Sequence, residues 1–195
     1  VRRFPESAHL LNVGSGVHRY RADMVNLDIY PDAGVDVIAD ATALPFGDNT
    51  FDGAICECLL EHVPEPEKVV REILRVLKPG GRAFLSAPFV YPFHACPNDF
   101  YRWSMTGMRE LGLRAGAEVE CIASRSGPTS ALVAQLVTWC AIALSFGSTR
   151  LYEILSMLLL LPFFPLKFLD LLLGRFPTAI HGTEAFYAVV RKPLQ

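Results

Sequence analysis

Apolar and polar positions alternate in two rhythms along the first two-thirds of the chain. His9–Val13 is a short apolar run that stops at Gly14, and it predicts a strand. Met24–Ile29, ended by Pro31, and Val35–Ala39 predict a second and a third. Phe51–Cys58 is a fourth, after the turn-rich stretch "LPFGDNTF". In Pro66–Leu77 the apolar residues Val69, Val70, Ile73, Leu74 and Leu77 recur at helical spacing, and "KPGG" supplies the stop. Arg82–Ala87 predicts a fifth strand, Thr106–Gly112 a helix capped by Ser104 or Thr106, and Ala117–Ser124 a sixth strand. Much later, Glu184–Arg191 alternates as a last strand.

Strands that alternate with helices predict an α/β fold with a mainly parallel, doubly wound sheet. Ligands of such sheets bind at the carboxyl ends of the strands. The notable polar residues, including Asp28, Asp40 and Glu57, fall at those ends. Few residues separate the first two strands, whereas a parallel crossover usually takes a dozen or more. The first crossover helix is therefore expected to be very short or replaced by a loop.

A long connection precedes the last strand. Residues 126–149 hold no charged side chain, and "LYEILSMLLLLPFFPLKFLDLLLG" after Arg150 is nearly as apolar. The first segment is long enough to cross a bilayer. In the second, Pro162 and Pro165 are expected to leave two pieces too short to span. If the last strand rejoins the sheet, both ends of the insertion lie on one side of any membrane, so full crossings must be even in number. The favoured reading is an apolar hairpin, residues 126–175, lying at a membrane interface. Its alternative is a helical cap over the sheet or a dimer interface. The expected domains are 1–125 with 182–195, and the insertion 126–181.

Composition sharpens this picture. Hydrophobic residues make up 51% and charged ones 19% of the 195 positions, and the apolar excess sits in that insertion. The formal net charge of −2 and the lack of a basic cluster exclude nucleic acid as an expected partner. The five cysteines form no CxxC pair, so zinc is not expected and reduced thiols are. Val1–His9 is too short and polar to read as a signal peptide, and a start without Met suggests a fragment or processed product.

The chemistry centres on "LNVGSG" at 11–16. Gly14 and Gly16 permit close backbone approach to a ligand. A carboxylate at Asp28 can accept hydrogen bonds from both hydroxyls of a ribose, or simply cap a turn. The dinucleotide fingerprint fits less well, because Arg19 stands where its third glycine belongs and its acid lies about 20 residues on.

These residues resemble those of the class I S-adenosylmethionine-dependent methyltransferases, most closely the type 11 methyltransferase domain. "LNVGSG", "NLD" at 26–28, "IADATALPFGDNTFDGAICECLLEHV" at 38–63 and "EILRVLKPGGRAFLSAP" at 72–88 carry the resemblance. It implies a Rossmann-like, seven-stranded sheet with the apolar helices inserted before the last strand. It implies S-adenosyl-L-methionine as cofactor. Gly14, Ser15 and Gly16 would lie against its methionine and ribose, Asp28 on the ribose, and Asp40 with the backbone of Ala41 on the adenine. Cys56 and Glu57 would face the amino group, and His62 would shape the pocket floor. Asn12 replaces an acid that often precedes the glycine loop and would grip that amino group without charge.

The acceptor would be met by "FVYPFHACPNDFYRWSMTGMREL". His94 is a candidate general base, with Asp99, Tyr101 and Arg102 as further catalytic candidates. Alternatively, Asp99 and Arg102 pair to pin the loop while Tyr101 packs. The resulting expectation is a cytoplasmic methyltransferase, peripheral on the inner face of a membrane, with a small-molecule, lipid-like, quinone-like or lipid-linked acceptor. Its rivals are a non-catalytic membrane-attached module and, less favoured, an NAD-dependent oxidoreductase.

Overall fold

The computed structural model describes residues 4–194. Its sheet has seven strands in the order β3-β2-β1-β4-β5-β7-β6. These are β1 (Leu10–Val13), β2 (Val25–Asp28), β3 (Val37–Ile38), β4 (Phe51–Glu57), β5 (Leu77–Pro88), β6 (Glu118–Ser124) and β7 (Ala185–Arg191). All strands expected from the sequence are present. The strands from β3 to β5 pair in parallel. β7 runs the other way: Gly80 and Gly81 exchange backbone hydrogen bonds with Lys192, and Phe89 donates to Glu184. The sheet is thus mostly parallel, with an antiparallel end.

β1 is wholly buried, which explains why it is apolar at every position but Asn12. Its Val13 is level with Leu27 and with Cys56. The chain therefore leaves β1, β2 and β4 at one edge of the sheet, and the glycine loop, Asp28 and residues 57–59 emerge side by side.

Helix α1 (Pro66–Val76) begins with Pro66, where no intrahelical donor is lost, and buries Val69, Val70, Ile73 and Leu74. It does not end in a "KPGG" loop. β5 begins at Leu77, because Gly80 and Gly81 pair with Lys192 and draw the segment into the sheet. Helix α2 (Met105–Ala115) is capped by Ser104, whose Oγ accepts from Gly107 N at 3.1 Å, and Gly116 closes it in the left-handed region.

The chain divides into two units, one of residues 1–87, 95–123 and 187–195, the other of 88–94 and 124–186. The second contains α3 (Pro128–Ser145), α4 (Thr149–Phe163), a 3-10 segment over Phe164–Leu169 and α5 (Asp170–Leu173). Pro162 sits inside the last turn of α4, and Pro165 falls in the 3-10 segment. Neither proline breaks the chain into short pieces, since Thr149–Leu173 is one helical stretch of 25 residues. The reason is position: a proline late in a helix loses one hydrogen bond, and the tighter 3-10 pattern accommodates it. Asp170 folds back to cap α3, accepting from Thr129 N and Ser130 N at 2.8 Å each.

An ion-pair clasp holds "LPFGDNTF" onto α1. Arg75 donates to Glu72, to Asp48 at 2.7 Å and to the carbonyls of Phe46 and Leu44. Glu72 also accepts from Leu44 N at 2.8 Å. The Arg75 guanidinium, helped by that N–H, holds the Glu72 carboxyl below its ordinary range. A depressed acid stabilises the fold above its unfolded pKa and loses that contribution as pH falls through its folded value. Glu72→Gln is expected to cost about 1–2 kcal/mol in urea melts at pH 7. The deficit should shrink as pH falls below the ordinary glutamate range and through the depressed folded value, where the parent's carboxyl becomes protonated too.

Candidate functional site

Asp28 joins the ends of β1 and β2. Its Oδ2 accepts from Gly16 N at 2.8 Å and its Oδ1 from Tyr30 N at 3.0 Å. The N–H groups of Gly14 and Ser15 both donate to Leu27 O, at 2.9 and 3.0 Å. The loop is tied to β2 along its whole length. Two backbone N–H groups occupy part of the Asp28 carboxylate, and an ionised carboxylate has about four acceptor positions. Capacity for two further donors remains.

Gly14 and Gly16 both have positive φ, +69° and +47°. A Cβ on Gly14 would meet the Leu59 side chain at 2.9 Å, whereas one on Gly16 would meet nothing within 4 Å. Gly14 is thus a packing glycine. Gly16 borders open space.

That space is a cleft of about 350 Å³, within the range of small-ligand sites. Gly14, Gly16, Asp28, Asp40, Ala41 and His62 line it. Asp40 accepts from Thr42 N and Thr42 Oγ1 at 2.8 Å each through one oxygen. The remaining walls are largely apolar and were missed by sequence reasoning: Leu27, Ile29, Tyr30, Leu59, Val63 and Pro97. One signal for them existed. Ile29 and Tyr30 are exposed apolar residues directly after a buried strand, which is unusual unless something covers them.

Other expected cofactor residues lie elsewhere. Asn12 is buried, and its Nδ2 donates to His18 O at 2.9 Å and to Asn26 Oδ1 at 3.3 Å. It holds the loop together from beneath rather than lining the cleft. The Ser15 side chain is buried too and turns to Gly16 O. Cys56 belongs to the core of β4, and burial pushes its thiol well above the usual range. Glu57 accepts from the Tyr20 hydroxyl. Cys58 and Leu59 take the places in the lining that Cys56 and Glu57 were expected to fill, because β4 extends to Glu57 before the chain turns.

The loop after β5 is stitched back onto the end of β4. The His62 ring Nδ1 is 2.6 Å from Asn98 O, Phe100 N donates to Glu61 O at 2.7 Å, and Tyr101 Oη donates to Pro64 O at 2.9 Å. Asp99 and Arg102 form a two-pronged pair at 2.5 and 2.7 Å, with the Asp99 carboxylate almost wholly buried. Burial pushes the neighbouring Glu61 carboxyl above its ordinary range. Asp99, Tyr101 and Arg102 thereby shape the loop that brings Cys96, Pro97 and Asn98 to the cleft, and none of the three lines it. His94 belongs to the other unit, its Nδ1 3.0 Å from Pro92 O.

No helix joins β1 to β2. Arg19 replaces its packing, donating to Met24 O and Gly34 O at 2.7 Å each and pairing with Asp36 at 2.7 Å. Arg21 holds Pro5 O, Ala8 O and Asp23. These side chains make a crossover possible in a space too short for a helix.

The chemistry of the cleft is selective. Its two carboxylates accept hydrogen bonds and donate none, so they suit a ligand rich in hydroxyl and amino hydrogens. They repel a pyrophosphate, which disfavours a dinucleotide. The apolar walls suit a flat ring. A nucleoside with a ribose and an amino-purine meets all three conditions, and the residues present fit S-adenosylmethionine on that account.

Comparison with known proteins agrees with the fold. The family model described as "Methyltransferase domain" matches residues 11–85. Residues 11–85 are thus similar to methyltransferase domains of the type 11 family, and the fold is that of the class I methyltransferases. The chain is 46% identical over 70 residues to a demethylmenaquinone methyltransferase of Renibacterium salmoninarum, covering 34% of this chain and 30% of the relative. It is 49% identical over 94 residues to the ubiquinone/menaquinone biosynthesis C-methyltransferase UbiE of Salmonella arizonae, covering 37% and 38%. The chain thus spans about a third of the length of the curated relatives it matches. Among solved structures, a putative methyltransferase from Bacillus halodurans superposes with a TM-score of 0.60 at 19% identity, covering 98% of this chain and 95% of that one. The [4+2]-cyclase SpnF gives 0.62 at 20% identity, covering 96% and 76%. A cyclase on the same scaffold illustrates that the fold alone does not fix the reaction.

The two glycines are expected to fail differently. Gly14→Ala combines positive φ with the Leu59 clash and should lower stability by about 2 kcal/mol or more. Gly16→Ala should cost only about 1 kcal/mol, yet weaken S-adenosylhomocysteine binding at least tenfold. Urea melts and calorimetry of both variants check this.

Proposed function

We propose that this protein is an S-adenosylmethionine-dependent methyltransferase acting on a lipid-like acceptor at a membrane interface. The observation that supports the cofactor is the cleft itself: Asp28 and Asp40 offer acceptors to a donor-rich nucleoside beside a glycine that leaves room for it. Bound there, S-adenosylmethionine supplies a methyl group activated on a sulfonium. Transfer from a sulfonium needs little acid–base assistance, so the chain's task is alignment. The loop ties at Leu27, Asp28 and Asn98 supply the rigidity that alignment needs.

A lipid-like acceptor is supported by the exposed apolar surface of the second unit. Two helical stretches, Pro128–Ser145 and Thr149–Leu173, are long and apolar enough to cross a membrane. The second has a mean hydropathy of 1.9, and none of its residues is buried. Met157, Leu161 and Leu171 are each at least 70% exposed. An apolar surface of this kind is costly in water and stable against a bilayer. Arg150 and Lys167 sit among the apolar residues as groups able to reach headgroup level. The relatives' named substrates, quinone precursors, are of the same chemical kind.

Incubation with methyl-labelled S-adenosylmethionine and vesicles containing a demethylated quinol is the direct assay. Label should pass into the organic extract. Replacing Met157 and Leu161 together by Glu should cut transfer at least tenfold without changing S-adenosylhomocysteine binding. Undiminished transfer by the double variant would contradict the membrane role, and no transfer to any lipid acceptor would contradict the acceptor class.

A further inference from the structure

Cations are scarce in the second unit, and most of them meet in one place. Residues 124–186 contain four: Arg125, Arg150, Lys167 and Arg175. Three of these, Arg125, Lys167 and Arg175, line a single open cleft of about 690 Å³ within that unit. Its one acid is Asp170, whose two oxygens are taken up by Thr129 N, Ser130 N and the Ser130 hydroxyl at 2.8 Å each. Among the described residues, the side chains of Lys167 and Arg175 enter no ion pair. Three positive charges against one negative make the cleft attractive to an anion. Ser124 and Ser126 line it too, and their buried hydroxyls have no hydrogen-bond partner among the described residues.

The rim is apolar and exposed. Phe164, Phe168 and Leu171 belong to the same lining and are 50%, 62% and 70% exposed. The two phenylalanine rings pack edge to face with centroids 6.0 Å apart, and Lys167 lies between them in sequence. Phenylalanine and leucine beside basic side chains is the composition of a surface that lies in the headgroup region of an anionic bilayer. A soluble phosphate would meet the cations and leave this rim in water. An anionic phospholipid satisfies both, since its phosphate meets the cations while the bilayer covers the rim.

We infer that this cleft binds the phosphate of an anionic phospholipid, with Phe164, Phe168 and Leu171 seated in the bilayer interface. The inference rests on the membrane-interface part of the proposed function and not on the methyl acceptor. The chain as a whole has a formal net charge of −2. A preference for anionic lipid must therefore come from a local cluster, because the overall charge works against it.

The whole chain would be titrated with vesicles of phosphatidylcholine alone and with vesicles of phosphatidylcholine and phosphatidylglycerol in equal parts, at physiological salt, with bound protein separated by flotation. The parent should bind the mixed vesicles at least tenfold more tightly. A cation near such a surface contributes about fivefold in affinity. Lys167→Ser with Arg175→Ser should thus weaken mixed-vesicle binding at least tenfold and leave phosphatidylcholine binding within twofold. Arg109→Ser with Arg114→Ser removes the same charge from exposed positions of α2 and should leave both affinities within twofold. Equal losses in the two double variants would overturn the inference, since the preference would then follow net charge. A parent that binds both vesicles alike would overturn it and leave the membrane-interface reading standing, whereas a parent that binds neither would overturn both. Glycerol phosphate, a headgroup without tails, should not bind. If the parent binds it as tightly as mixed vesicles, the cleft takes a soluble phosphate and the phospholipid assignment fails.

Discussion

The site depends on one carboxylate. Asp28 receives the N–H of Gly16 from one side and that of Tyr30 from the other. It thereby fixes the glycine loop after β1 to the turn after β2, and it does so with lone pairs to spare. Charge-assisted bonds to backbone N–H groups are short and strong, so they orient both loops at once. The parallel register puts the ends of β1, β2 and β4 level, and Asp28 converts that alignment into a cleft.

The rest of the first unit supports this junction by unusual means. A class I fold normally uses a helix to return the chain from β1 to β2. Here the crossover is a loop held by the guanidinium groups of Arg19 and Arg21 and by the paired amides of Asn12 and Asn26. Each substitutes directional hydrogen bonds for helix packing. The second unit relies on a single acid in a similar way, Asp170 capping α3 across 41 residues of sequence.

Much of this was legible in the sequence. Strands such as β1 and β4 are buried on both faces, so their apolar runs were unmistakable, and Gly14, Gly16, Asp28 and Asp40 fall just where parallel strands end. Where the structure departs from the expected placement, the causes are physical. Asn12 read as a ligand because it precedes the glycines, but a residue inside β1 points into the buried amide network. Cys56 and Glu57 were placed at the cleft by resemblance, but β4 runs through both before the chain turns, and the lining passes to Cys58 and Leu59. Asp99 and Arg102 looked equally suited to chemistry and to pairing, and in the structure they pair at 2.5 and 2.7 Å. Pro162 and Pro165 looked like breaks, yet a 3-10 turn absorbs them. Local pattern reveals elements and their ends. It does not reveal which way a polar side chain turns once tertiary partners compete for it.

The central claim is that the cleft beside Asp28 binds the methyl donor. It is tested most directly by calorimetric titration of S-adenosylhomocysteine into the folded protein and into Asp28→Ala. The account predicts micromolar binding to the parent and a loss of about ten- to a hundredfold in the variant, the effect of removing a charged hydrogen-bond partner worth about 1.5–3 kcal/mol. A folded parent that does not bind, or a variant that binds equally well, would contradict it.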